Sequence, residues 1–476
     1  MKIRKLLSVL LSGVMAFSFM ATNAVNASAA KSYSDKVSVT RVWDGTADID
    51  WFTNDKDSYN IYTAEELAGL MKVLDDDLQG DCLKGITINL MNDIVLNDTS
   101  NFKNWEKEAP KNVWNPGGYD KGALLGYGPF AGVFNGNGHT ISGMYSSVYN
   151  WSPFGIGGDA GLFECTAGAV IRDLKMEKCY AWGAGRAGIV TAVSQGTYFE
   201  NVEVKDCKAF ASDHAGGISG VAYEFVDFKF AALGLYTFIT LTTGMLLNPL
   251  FLSGDVGVDV KKNTMFMACK AENCDIKRVY GIIPEGAGNM GGIIGGTALE
   301  TSFYGCLSIN NTFEGRKIGA ITANHICEKK KEYFKKNYEY NSKTTDGKKA
   351  VLADDKHVST VSKSTLYKKS FAQKFDDIYK YRKGETPSLA AIIDTPVDVV
   401  LNEKKATISW KKVDNATKYK VYIKKNGKYS TISTTKTTSA ALKNINKGKS
   451  YEIMIRAYFK DGSYKVVDGG QFKFKA

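Results

Sequence analysis

Only four histidines and eight cysteines occur in 476 residues, with no CxxC pair followed by a second and no HExxH. That scarcity excludes a metal-rich fold, a disulfide-dense scaffold and a zinc peptidase of the HExxH kind. Eight prolines stand against 47 glycines, so the chain makes many tight turns and is no proline-rich spacer. With 44% apolar and 12% aromatic residues and only 23% charged, bulk disorder is excluded as well. No cofactor is expected.

Lys2, Arg4 and Lys5 precede an uncharged stretch over residues 6–20, and Ala27-Ser28-Ala29 has the small-x-small form that a signal peptidase cleaves after. Residues 1–29 therefore read as a signal peptide. The stretch is too short for a span, which takes about 20 apolar residues, so the chain is expected to be secreted or held at a bacterial cell surface. The net charge of +11 is uneven: residues 391–476 hold 18 Lys and Arg against 7 Asp and Glu, and the rest balances at 43 against 43. On an exported chain such a field suits anionic wall polymers or acidic glycans, since exposed positive charge steers polyanions. A merely solubilising surface is the plainer alternative, and nucleic acid is not an expected partner.

Short phrases recur in the middle of the chain. Ala160-Gly161-Leu162-Phe163 is echoed by Ala187-Gly188-Ile189-Val190, Ala215-Gly216-Gly217-Ile218, Met290-Gly291-Gly292-Ile293 and Ile318-Gly319-Ala320-Ile321. The first four are followed by segments 171–176, 199–204, 266–271 and 303–308, whose apolar positions alternate with the period of a half-buried strand. These segments start 28, 67 and 37 residues apart, so the uninterrupted unit is 28 residues. One coil of a parallel β-helix has that size, and its interior is built of ladders of similar side chains. The Gly pairs are expected at bends that need positive φ. Neither an asparagine ladder nor a 3.6-residue apolar period recurs, which disfavours leucine-rich and helical repeats.

Cysteines share the register. Cys179, Cys207 and Cys274 fall at equivalent positions, as do Cys269 and Cys306, so they read as ladders of small inward-facing residues. Relative to its neighbours the third coil carries an insertion at 223–263. It includes the uncharged run 230–252, long enough to reach across a bilayer but interrupted by Asn248-Pro249. Residues 326–356 carry Lys329-Lys330-Lys331 and Lys335-Lys336 with few apolar residues; there the coil pattern is expected to decay into a loop.

Thr63 can cap a short helix, with Glu66 closing the box. Around it stand Trp43-Asp44-Gly45-Thr46, Trp51-Phe52, Gly85-Ile86-Thr87-Ile88, Trp114-Asn115-Pro116 and Phe134-Asn135-Gly136-Asn137-Gly138-His139-Thr140-Ile141. Tyr367-Lys368-Lys369-Ser370-Phe371 and Thr386-Pro387-Ser388-Leu389 follow near the end of the stretch. In order and spacing these phrases resemble the right-handed parallel β-helix domain of bacterial surface proteins with GLUG-type repeats. The resemblance covers 41–390 and implies an all-β parallel β-helix with a short N-terminal capping helix, on a scaffold commonly thought adhesive.

From Thr395-Pro396 onward, short alternating strands come with turns about every ten residues, the pattern of a β-sandwich. Trp410 reads as a core residue, Asn426-Gly427 as a hairpin turn, and Tyr451 as the residue of a tyrosine corner. Residues 395–476 resemble a fibronectin type III domain, which implies a spacing or binding module. No Arg-Gly-Asp tripeptide is present.

The favoured function is non-catalytic binding or adhesion. A glycan, a wall polymer or a host or cell-surface protein is the expected partner. Tyr127, Tyr145, Tyr149, Trp151, Tyr180 and Trp182 are the aromatics that would stack on sugar rings or meet a protein. One alternative is a polysaccharide lyase or glycoside hydrolase on the β-helix scaffold. Asp173 and Glu200 could serve it, although beside Arg172 and Glu203 they read equally as a solvated, salt-bridged ladder. The other alternative is a membrane-inserting protein using 230–252.

Overall fold

The computed structural model describes residues 37–76, 82–117, 129–149, 158–222, 263–280, 288–297, 300–324, 334–346, 358–375, 378–390, 392–393 and 395–476. The chain is mostly β, with few helices. The expected short helix is present over Ala64–Asp76. The Thr63 hydroxyl accepts from Glu66 N at 3.2 Å while the Glu66 carboxylate accepts from Thr63 N at 3.2 Å, so both free amides at the helix start are satisfied.

Around the helix, parallel strands stack in four ladders. The broadest joins Ser58–Ile61, Thr87–Leu90, Val133–Asn135, Val170–Glu177, Tyr198–Lys205, Lys270–Glu272, Leu307–Ile309, Tyr338–Tyr340 and Ser359–Thr360. A second runs through Tyr145–Val148, Tyr180–Gly183, Lys208–Ala211, Asp275–Arg278, Thr312–Glu314 and Lys343–Thr344. The other two hold the glycine phrases: Arg186–Gly188, His214–Gly216, Asn289–Gly291 and Lys317–Gly319, then Phe163–Ala167, Thr191–Gln195, Ser219–Ala222 and Ile294–Thr297.

The repeat register holds residue by residue. Ala187, Ala215, Met290 and Ile318 are cross-strand partners, and so are Ile171, Phe199, Phe266 and Phe303. The rings of Phe199 and Phe266 stack nearly parallel 4.7 Å apart, those of Phe266 and Phe303 5.3 Å apart. Each such stacked pair adds about 0.5–1.5 kcal/mol to the burial itself. Among the described residues the seven cysteines are free and buried. Cys207 Sγ accepts from Cys179 N at 3.4 Å. An asparagine follows each cysteine ladder: Asn311 Oδ1 accepts from Cys274 N at 2.8 Å, and Asn337 Oδ1 from Cys306 N at 2.9 Å.

Three expectations need correcting. Within 326–356 the described residues 334–346 do not decay into a loop: Phe334–Lys335 and Tyr338–Tyr340 add another layer, and Phe334 extends the phenylalanine column at 4.8 Å from Phe303; the rest of that segment lies outside the described residues. One inward aromatic per two-residue strand is enough when the column below it is already formed. The Gly pairs are not positive-φ residues. They sit at corners so close that a Cβ on Gly216 would lie 2.0 Å from Ser219 O, and one on Gly291 1.9 Å from Ile294 O. Positive φ falls instead to two other columns, one of Asp206, Asn273, Asn310 and Asn341 and one of Asn201, Ala268, Gly305 and Lys336. Side chains of the first bond up the column, Asn273 Nδ2 to Asp206 Oδ1 at 3.0 Å and Asn341 Nδ2 to Asn310 Oδ1 at 2.9 Å, so an asparagine ladder does exist, because Asn tolerates this conformation best after glycine. Gly216→Ala should therefore lower stability by about 1–3 kcal/mol through overpacking, read as a fall in melting temperature.

The last seven strands make a sandwich. Val397–Asn402, Lys405–Trp410 and Ser439–Lys443 form one sheet; Lys428–Thr435, Lys418–Lys425, Ser450–Tyr458 and Tyr464–Lys475 form the other. Asn426 and Gly427 both have positive φ in the hairpin turn. The Tyr451 hydroxyl accepts from Asn446 N at 2.8 Å, the expected corner contact. Unforeseen is the strand Val37–Arg41, which pairs in parallel with Val397–Leu401 and buries Val37 in the sandwich core. It then enters the stack, Val42 bridging to Val95. The first described strand thus ties the two parts together.

Candidate binding surface

Side chains on the second ladder alternate. Ala181, Ala209 and Ile276 point into the core, and Tyr180, Trp182, Lys208 and Phe210 stand on the outside. This brings four of the expected aromatics onto one face. Tyr145 stacks on Tyr180 at 4.9 Å, and Tyr149 on Trp182 at 5.9 Å. Tyr127 and Trp151 lie outside the described residues.

The four are not equally accessible. The short helix Thr99–Asn104, capped by Asp98 accepting from Ser100 N at 2.9 Å, brings Phe102 and Trp105 over one end of the face. Lys208 anchors it, its ammonium donating to Lys103 O at 3.1 Å and to Glu106 at 2.6 Å. Tyr180 is left 5% exposed beneath Trp105 and Tyr145, and burial raises its phenol well above the usual range. Tyr149, at 69% exposure, and the half-buried Trp182 remain as an open stacked pair. No signal in the sequence distinguishes these cases, because the covering loop comes from residues about 80 positions earlier.

The acidic candidates sit elsewhere, on the broad ladder. Asp173 has positive φ and its carboxylate accepts from Asn201 Nδ2 at 3.0 Å, a bond between neighbouring layers. Burial, then Asp173, raises the neighbouring Glu200 carboxyl. Charges alternate up this face, Lys175 opposite Glu203 opposite Lys270, and Glu177 opposite Lys205 opposite Glu272. The ladder is not solvated as expected. Leu366, Phe371, Phe375, Tyr379 and Leu389 of the closing segment pack over its last layers, leaving Glu203, Lys270 and Glu272 buried.

A cavity of about 350 Å³ lies where Arg41 and Asp44 meet Asp98, Glu108, Lys111 and Glu403. Two of its carboxylates are engaged: Asp44 accepts from Thr46 N and Oγ1 at 2.8 and 2.6 Å, and Asn101 Nδ2 donates to Glu108 at 3.1 Å. The run 230–252 is outside the described residues; among those described, no helix is long and apolar enough to cross a membrane.

The basic residues of the sandwich lie on both sheets, Lys405 and Lys443 on one, Lys418, Lys420 and Lys424 on the other. Residues 394–466 match the family described as Fibronectin type III domain. The sandwich is of the fibronectin type III kind. Three solved structures are similar: a mutant of FN3tt (18% identity, TM-score 0.13), FN3tt itself (16%, 0.14) and a Fn3-like protein from Clostridium thermocellum (24%, 0.14). They cover 14%, 16% and 15% of this chain and 74%, 76% and 78% of their own. No curated protein matches.

Proposed function

We propose that this is an exported, non-catalytic binding protein of the bacterial cell surface, whose stacked ladders wind as a GLUG-type right-handed parallel β-helix and whose fibronectin type III domain holds an anionic polymer. The observation that carries the reading is the placement of like charge on that domain. Its sequence holds the whole +11 excess, and Lys405 stands directly opposite Lys443, Lys425 opposite Lys428. Like charges across a strand pair destabilise a sheet, and a bound polyanion removes that cost. Cleavage of the expected signal peptide after Ala29 would leave the tying strand Val37–Arg41 intact. Tyr149 and Trp182 offer the stack a second contact for sugar or protein.

The mature chain should bind isolated bacterial cell walls at low salt and be released by salt, since exposed charges are screened within about 10 Å at 0.1 M. Binding that ignores salt, or its absence, would overturn the reading.

A further inference from the structure

We propose that the outer face of the sheet containing Lys418–Lys425, Ser450–Tyr458 and Tyr464–Lys475 is a site for an acidic polysaccharide, with Lys418, Lys420 and Arg456 taking sugar carboxylates and Tyr464 stacking on a pyranose ring. The proposal rests on the polyanion reading above and assigns it to one of the domain's two faces.

Alternation along the strands sets this face. Tyr419, Val421, Ile455 and Ala457 are buried in the sandwich core, which puts Lys418, Lys420, Tyr422, Arg456 and Tyr458 on the outside. There the cations lie over rings. Arg456 Cζ is 4.3 Å from the Tyr464 ring centre and 5.1 Å from that of Tyr422; the Lys420 and Lys418 ammoniums are 5.2 and 5.8 Å from Tyr458. The Tyr422 and Tyr458 hydroxyls share a hydrogen bond of 2.5 Å. That bond, then Arg456 and Lys420, holds the Tyr458 phenol below its ordinary range despite partial desolvation.

The two ends of the face differ in what neutralises them. At one end Glu452 accepts from Lys424 at 3.0 Å and from the Tyr429 hydroxyl at 2.7 Å, with Lys473 at 3.5 Å. At the other end none of Lys418, Lys420 and Arg456 has a carboxylate within ion-pair distance among the described residues. Arg456 Nε is buried without an acceptor, although buried polar atoms are almost always bonded. Rings hold the cations in place without cancelling their charge, and a planar guanidinium pairs best with a carboxylate. Tyr464 is 51% exposed and 5.5 Å from Tyr458. An open ring platform next to unpaired cations fits a ligand that carries both a sugar face and a carboxylate, which a bare polyphosphate does not.

The test measures affinity of the full mature chain for polygalacturonate, long-chain inorganic polyphosphate and neutral dextran at low salt, using variants whose melting temperatures match the wild type. Polygalacturonate should bind and dextran should not. Tyr464→Ala should weaken polygalacturonate about tenfold and leave polyphosphate unchanged. Lys418→Glu with Lys420→Glu should abolish polygalacturonate binding, whereas Lys405→Glu with Lys443→Glu, the same change of charge on the other sheet, should cost about threefold or less. Equal losses in the two double variants, or no effect of Tyr464→Ala, would overturn the site while the polyanion reading stands. Failure of the wild type to bind any polyanion would overturn both.

Discussion

Lys270→Ala should cost about 3–5 kcal/mol of stability, which would make it one of the most damaging single changes in the stack. Lys270 is 1% exposed. Its ammonium lies 2.6 Å from Glu272 and 3.6 Å from Glu203, and it donates to Thr386 Oγ1 at 3.3 Å. Thr386 in turn donates to both Glu272 oxygens, at 2.8 and 3.0 Å. Burial alone would raise the Glu272 carboxyl, but Lys270 overrides it and holds the group below its usual range. Without the lysine, two carboxylates are left in a space sealed by the closing segment, and they must either protonate or let that segment open. Urea unfolding followed by tryptophan fluorescence measures the loss, with the exposed Lys436→Ala as a control near zero. A deficit under about 1 kcal/mol would mean that water reaches the cluster and that the closing segment is not a seal. Replacing Glu203, Lys270 and Glu272 together with apolar residues of similar size should recover most of the loss, because desolvation costs such a triad nearly what its attraction returns.

Much of the layering was legible because it is written locally. The phenylalanine column needs only an inward residue at a fixed place in each repeat, so the spacing from Phe199 to Phe266 to Phe303 gives it directly. Thr63 with Glu66, Asn426-Gly427 and Tyr451 are likewise short-range devices whose partners lie within a few residues. What the sequence hid is long-range. Val37-Ser38-Val39 alternates like any edge strand, and nothing near it names Val397–Leu401 as its partner some 360 positions later. Tyr180 and Tyr149 look alike in sequence, yet one is covered by the helix Thr99–Asn104 and the other is open. The asparagine column shares the phenylalanine spacing, 67, 37 and 31 residues from Asp206 to Asn341, but it starts on an aspartate and its polar members read as ordinary turn residues, so nothing marks them as a column. The glycines were located correctly but for the wrong reason, since a corner that is merely crowded leaves the same mark in sequence as one that needs positive φ.

Asp398→Asn should raise stability at pH 7 and above and leave it unchanged at pH 4. Asp398 lies on the seam between sandwich and stack, opposite Ser38 of the tying strand. Burial, then Asp93 and Glu177, pushes its carboxyl up to about 6, although the Thr395 hydroxyl donates to it at 2.6 Å and Lys175 opposes the rise. A carboxyl raised from 3.8 to about 6 on folding binds more protons in the folded state within that window, so stability falls as pH rises through it. The full shift corresponds to about 3 kcal/mol, and solvent at this half-buried site screens part of it, leaving about 2. Nearby groups titrate in the opposite sense. Glu177, raised by burial but pulled down to about 2 by Lys175, stabilises above its unfolded value of 4.5 and loses that contribution only as pH falls towards 2. Asp93 behaves likewise: burial opposes ionisation, but His139 at 3.2 Å, Thr140 N at 2.8 Å and the Ser38 hydroxyl at 2.9 Å hold it low. Because those groups are common to both proteins, the difference between variant and wild type isolates Asp398. It should be near zero at pH 4, rise between pH 4 and 6, and level off above. A difference that stays flat across this range would show that the seam is open to water and that the tying strand does not clamp the two parts together.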